Sequence, residues 1–259
     1  MKPTRQTSRR TGKVTAGHCL LAGVLASACL AMALPAVAKP LGVVELFTSQ
    51  GCNSCPPADA ALGRFVQQGN VVVLAYHVDY WDYLGWKDTL GDRANTDRQY
   101  AYAKAFGSSQ VYTPQAVING RSQMNGAYVG EVETELSTLD QSGQGMAVDI
   151  SIRDTGNSYV VEVGAAKGGT GEARVVLVSY APQQDIPIRR GENSGHTITY
   201  WHAATGTHIV GMWHGKPTRY EVPKAALPSD GGLAVLLQSG PGGVMGPILG
   251  AATLEGAGS

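Results

Sequence analysis

The chain has 259 residues, a formal net charge of zero, charged residues held to 15% and 34 glycines. That composition suits one large or two modest globular domains, and it excludes coiled coil and long acidic or basic tails. The even balance conceals an asymmetry, because residues 1–38 carry five basic side chains and no acid.

Those five, Lys2, Arg5, Arg9, Arg10 and Lys13, precede the apolar run "CLLAGVLASACLAMALPAVA", which ends in Ala36-Val37-Ala38. A basic opening, an apolar middle and a small-residue close predict a secretory signal peptide over 1–38, cut before Lys39. A membrane anchor is the competing reading, disfavoured by Pro35 and the small residues; a lipoprotein acylated at Cys29 is another. Removing the segment leaves 15 Lys and Arg against 20 Asp and Glu, a net charge of −5. No basic stripe survives, so nucleic acid is not an expected partner. Cys52 and Cys55 are then the remaining cysteines, and in an oxidising compartment each has only the other as an intramolecular partner.

Beyond the signal, "LGVVELFT" (41–48) reads as a buried strand and "ADAALGRFVQQG" (58–69) as a helix closed by Gly69. "NVVVLAYHV" (70–78) is a second strand, and 93–107 a second helix stopping at Gly107. Two short strands follow about an Asn119-Gly120 turn, and 127–141 closes this half as a helix. From Gly145 the helical signal fades. The runs at 146–154, 158–166, 173–181, 196–203, 207–215 and 233–239 are short, β-branched and separated by Gly, Asn or Pro. The expectation is an α/β domain over 39–144, a mixed sheet with flanking helices and a helical insertion. A mainly-β, sandwich-like domain over 145–259 would follow.

The chemistry gathers at "ELFTSQGCNSCPPAD" (45–59). Pro56 and Pro57 fit only the first turn of a helix, so the helix should begin near Ser54 or Cys55, leaving Cys52 outside it and relatively exposed. A cysteine at a helix N-terminus has its thiolate favoured, and the thiolate is the attacking species in disulfide exchange. An inert bridge is the plainer alternative, but a loop this short gains little from closure. A closed zinc site wants four ligands, whereas Cu(I) accepts two thiolates.

Further on, "VYTPQAVING" places Thr113 and Pro114 at the opening of a strand. The C-x-x-C unit joined to T-P-x-x-x-I-N-G resembles the thioredoxin superfamily. That resemblance implies a cis bond before Pro114, packed against the cysteine pair, and a Thr113 backbone that pairs with substrate. With "VVELFTSQGCNSCPPAD", "LAYHVDYWDYLGWKD", "RRGENSGHTITY" and "GPILGAA", most of the chain after the signal is similar to an uncharacterised family of secreted bacterial thioredoxin-like proteins. Gly51 stands where ordinary thioredoxins have tryptophan, so potential and direction do not carry over.

Strands one and two should open on the same sheet edge, which brings His77, Asp79, Tyr80 and Trp81 towards Cys52 as a substrate-binding wall. Tyr83 and Trp86 would extend it; packing under the inserted helix is the alternative. Glu45 lies on the opposite strand face from Leu46, where many thioredoxins carry a buried acid, so a relay role is doubtful. His196, His202, His208 and His214 recur every six residues, interrupted by Gly206 and Gly211, and "RRGENSGH" reads as a solvated turn.

These readings converge on an exported thiol–disulfide oxidoreductase, periplasmic or secreted, in which Cys52 attacks and Cys55 resolves. Its partners would be thiol- or disulfide-bearing proteins, and the reaction calls for no cofactor. The alternative is a copper-handling protein holding Cu(I) with Cys52, Cys55 and His77.

Overall fold

The computed structural model describes residues 39–256 apart from 170, 229–230 and 241–243. The signal-peptide reading of 1–38 lies outside the described residues. In chain order the elements are β1 (Gly42–Thr48), α1 (Pro56–Gln68), β2 (Val71–His77), α2 (Arg93–Ala105), β3 (Gln115–Ile118), β4 (Ser122–Asn125) and α3 (Val129–Gln141). There follow β5 (Ile150–Asp154), β6 (Ser158–Val163), β7 (Ala173–Pro187), β8 (Thr197–Trp213), β9 (Thr218–Pro223), β10 (Gly232–Ser239) and β11 (Ile248–Leu254). None of the described helices is long and apolar enough to cross a membrane.

This is a mixed α/β architecture with a large mixed sheet and few helices. Eight strands run in the order β11-β10-β7-β8-β2-β1-β3-β4, and β5-β6-β9 form a separate antiparallel sheet. β1 and β2 are parallel, as the intervening α1 requires, and β3 and β4 add antiparallel beside β1. Asn119 and Gly120 join β3 to β4 with φ of 50° and 62°, the left-handed pair that a tight hairpin needs.

The described residues form one compact unit. β8 joins β2 in parallel at Ala75 and Ala203, so strands from both sides of Gly145 share one sheet. The expected boundary therefore does not divide two separate sheets. Two expected runs, 196–203 and 207–215, merge into the long β8, whose pairing with β7 slips between Ser179 and Tyr180. Farther along, Ile152, Val161, Val163 and Val222 of the small sheet share an apolar cluster with Val175, Leu177, Val235 and Leu237 of the large one.

Strand alternation sorts the remaining core by face. Val44 and Leu46 of β1 meet Leu62 and Phe65 of α1 and Leu136 of α3. Val43 and Phe47 point the other way, to Tyr76, Tyr102 and Tyr180.

Candidate functional site

β1 ends at Thr48 and delivers the chain to a tight turn, where the Cys52 amide donates to the Ser49 carbonyl at 3.1 Å. Cys55 is the N-cap of α1, with Pro56 and Pro57 filling the first turn. The two cysteines form a disulfide with Cα atoms 5.4 Å apart. Cys52 is not the exposed sulfur expected from its place outside the helix: Cys52 and Cys55 are 1% and 0% exposed.

The cover comes from "RRGENSGH", which is not merely a solvated turn. Asn193, itself buried, donates its side-chain amide to the carbonyls of Gln50 and Cys52, both at 2.9 Å. Trp81 closes another side, so close to Gly51 that a Cβ there would lie 3.0 Å from the Trp81 Cβ. That contact gives a physical reason for glycine before Cys52. Replacing Asn193 with alanine removes two hydrogen bonds of about 1 kcal/mol each. Reduction of the bridge by dithiothreitol in the folded protein should then quicken by up to about thirtyfold. An unchanged rate would show that this loop does not govern access.

Thr113–Pro114 is cis. Ser54 links the two segments: its hydroxyl lies 3.4 Å from the Cys52 sulfur and donates to the Thr113 carbonyl at 3.5 Å. The Trp81 indole donates to the Thr113 hydroxyl at 2.9 Å. Cys52, Cys55, Thr113 and Trp81 are thus brought together. Tyr80 lies beside Trp81 with its ring tilted by 40°, its phenol raised to about 12 by burial.

The other expected wall residues turn elsewhere. Asp79 accepts the Thr96 hydroxyl at 2.6 Å and pins α2 to the end of β2. Trp86 donates to the Gln50 side chain at 2.8 Å, and Tyr83 is exposed. His77 is buried, with its Nδ1 2.9 Å from Asp88 Oδ2 and its ring edge-on to Tyr200 at 4.7 Å. The copper alternative named His77 beside Cys52 and Cys55; its Nδ1 faces Asp88, and its Nε2 has no hydrogen-bond partner among the described residues. Among the described residues no three His, Cys, Asp or Glu side chains are grouped to hold a metal. Of the C-terminal histidines, His202 is buried against the Val73 carbonyl at 3.0 Å, while His196, His208 and His214 are exposed.

Sequence reasoning missed Asp59. It stands one helical turn beyond Cys55, its amide donating to the Cys55 carbonyl at 3.1 Å. Side chains four apart on a helix share a face, with Cβ atoms about 5–6 Å apart. Asp59 is buried, its Oδ1 accepting the Thr48 hydroxyl at 2.8 Å. Burial raises its pKa to about 7, against the opposing influence of His77 and Thr48 and with Asp88 reinforcing it. Burial would also raise Asp88, but His77 and the amides of Gln50 and Leu90 hold it below the usual carboxylate range. Asp59 Oδ2, His77 Nε2 and the Tyr200 hydroxyl have no hydrogen-bond partner among the described residues. The signal in the sequence was the i, i+4 spacing from Cys55.

Glu45 lies on the other face of β1, as its parity indicates. It is fully buried in an ion pair with Arg98, at 2.6 and 2.8 Å, and accepts the Tyr102 hydroxyl. Gln238 of β10 closes this network against Arg98 and Tyr102.

A family described as "Protein of unknown function (DUF1223)" matches residues 43–238. The crystal structure of protein AGR_C_4864 from Agrobacterium tumefaciens is 42% identical, covering 86% of this chain and 98% of that one, with a TM-score of 0.79. HBP35 of Porphyromonas gingivalis shares the fold at 9% identity and a TM-score of 0.58, covering 85% of this chain and 76% of that one. No curated protein matches.

Proposed function

The chain belongs to the family described as "Protein of unknown function (DUF1223)", and on that premise we propose an exported thiol–disulfide oxidoreductase on a thioredoxin-like scaffold. The observation that carries this reading is the Cys52–Cys55 bridge at the N-terminus of α1, with buried Asp59 one turn behind it. A strand-to-helix junction favours a thiolate, and an acid that titrates near neutrality can take a thiol's proton and return it. The cis Thr113–Pro114 segment, tied through Ser54 to Cys52, supports the same reading.

In the reducing direction the Cys52 thiolate attacks one sulfur of a partner protein's disulfide. A mixed disulfide forms and one partner thiolate leaves. Cys55 gives its proton to the Asp59 carboxylate and attacks the Cys52 sulfur, which reforms the bridge and releases the second partner thiolate. Two electrons pass from the dithiol to the partner, the partner thiolates take protons from solvent, and oxidation of a partner is the reverse. The loop around Asn193 must lift for either direction.

Mixing the reduced protein with a disulfide-bonded peptide under native conditions tests this. One peptide disulfide should be lost, as two thiols, for each Cys52–Cys55 bridge formed. Burial of both sulfurs favours a second reading, an inert structural bridge. That reading expects no transfer, and no reduction by dithiothreitol until the protein unfolds. Export is part of the proposal, and the mature protein from periplasm or medium should begin at Lys39 by mass spectrometry; an intact N-terminus would count against it.

A further inference from the structure

We propose that the groove between α1 and the β7–β8 hairpin is the docking site for an acidic, extended segment of the partner protein. This rests on the exchange reading above and names the partner's chemistry. The cavity has a volume of about 790 Å³ and begins at Asn53, between the two cysteines. It continues along one face of α1, through Pro56, Pro57, Ala60 and Arg64, to Gln67. Pro56 to Gln67 spans eleven helical steps, roughly 16 Å, the length of about five residues of extended chain. A cysteine of a segment lying there would sit at the Asn53 end, beside the disulfide.

The far wall includes Trp201 of β8, whose indole packs against Gly63 of α1: a Cβ added there would fall 2.5 Å from the indole Nε1. Only a glycine lets the indole approach this closely and form the groove's side.

Charge selects the occupant. Among the described residues, Arg64 and His196 are the titratable side chains lining the groove, and no carboxylate lines it. Arg64 is exposed and forms no ion pair among the described residues. Asp185 of β7, which does not line the groove, accepts the hydroxyl of the lining residue Thr199 at 2.7 Å. An Asp or Glu opposite Arg64 would therefore meet an unneutralised guanidinium, and a Lys there would be repelled.

Two measurements separate this proposal from the exchange reading. The first uses fluorescein-labelled seven-residue peptides in which serine replaces the cysteine, one acidic and one lysine-substituted, with binding read by anisotropy at low salt. The acidic peptide should bind at least tenfold more tightly than the lysine peptide, and Arg64→Glu should abolish or invert the preference. Ala60→Trp, at an exposed position on the groove floor, should weaken both peptides. Equal binding of the two peptides, or a preference untouched by Arg64→Glu, overturns the groove whatever the cysteines do. The second measures reduction of hydroxyethyl disulfide, a small uncharged substrate, by the reduced protein. Arg64→Glu should leave that rate unchanged. A wild type that reduces hydroxyethyl disulfide but binds the two peptides equally rejects the groove alone, whereas no reduction by the wild type rejects the exchange reading on which it rests.

Discussion

Replacing Arg98 with methionine should destabilise the protein by about 3–5 kcal/mol, because it leaves the Glu45 carboxylate buried without its counter-charge. Glu45 sits in the middle of β1, between β2 and β3, and its side chain has no exposed surface. Arg98 reaches it from α2, with its guanidinium stacked 5.2 and 5.3 Å from the ring centres of Tyr76 and Tyr102. Losing it removes two charge-assisted hydrogen bonds, two cation–π contacts and the bond to Gln238. The double variant Arg98→Met, Glu45→Leu should recover most of the loss, since no charge is then buried. Urea unfolding followed by circular dichroism measures both. A cost below about 1 kcal/mol for the single variant would show that the pair does not hold β1 to α2 and β10.

The second large effect is a dependence of stability on pH that belongs to Asp59. Its folded pKa of about 7 lies above the ordinary value of 3.8. Between those pH values the folded protein keeps a proton that the unfolded chain has released. Unfolding then releases a proton, so stability falls as pH rises. The advantage of the protonated carboxyl is complete below about pH 4 and is lost by about pH 7, a change of about 4 kcal/mol at 1.36 kcal/mol per unit. Asp88 works in the opposite direction: its carboxyl is held low, so it loses stability only on acidification below the ordinary carboxylate range. Asp59→Asn cannot titrate. The stability difference between wild type and Asp59→Asn should therefore shift by several kcal/mol between pH 4 and pH 8, in favour of the variant at high pH. A constant difference across that range would mean that Asp59 ionises normally in the folded state.

Local signals carried the reading of the first half. β1 and β2 announce themselves as valine-rich runs, α1 by its prolines and Gly69, and the β3–β4 turn by Asn119-Gly120. What escaped depends on contacts far apart in sequence. β8 lies beside β2 through one parallel pair, Ala75 with Ala203, and nothing near Ala203 marks that neighbour. β9 alternates Tyr220 and Val222 with exposed Arg219 and Glu221, but it is six residues long and ends at Pro223, and the centre of β11 is Gly250-Ala251-Ala252, so both signals are weak. Asn193 looked like one more polar residue in a glycine-rich turn, yet it spans more than 140 positions to reach Gln50 and Cys52. Asp59 was hidden by the opposite habit, that acids near a helix start face water.

The central claim is that Cys52 attacks and Cys55 resolves, and trapping tests it most directly. Periplasmic extract should be incubated with Cys55→Ser and, in parallel, with Cys52→Ser, quenched in acid and resolved without reductant. Cys55→Ser should accumulate mixed disulfides with disulfide-bearing proteins, whose other sulfur leaves as a thiolate, because the thiol that would release them is gone, and Cys52→Ser should form far fewer. Equal trapping by the two variants, or none by either, would contradict the account and leave the bridge as a structural feature of the α1 N-terminus.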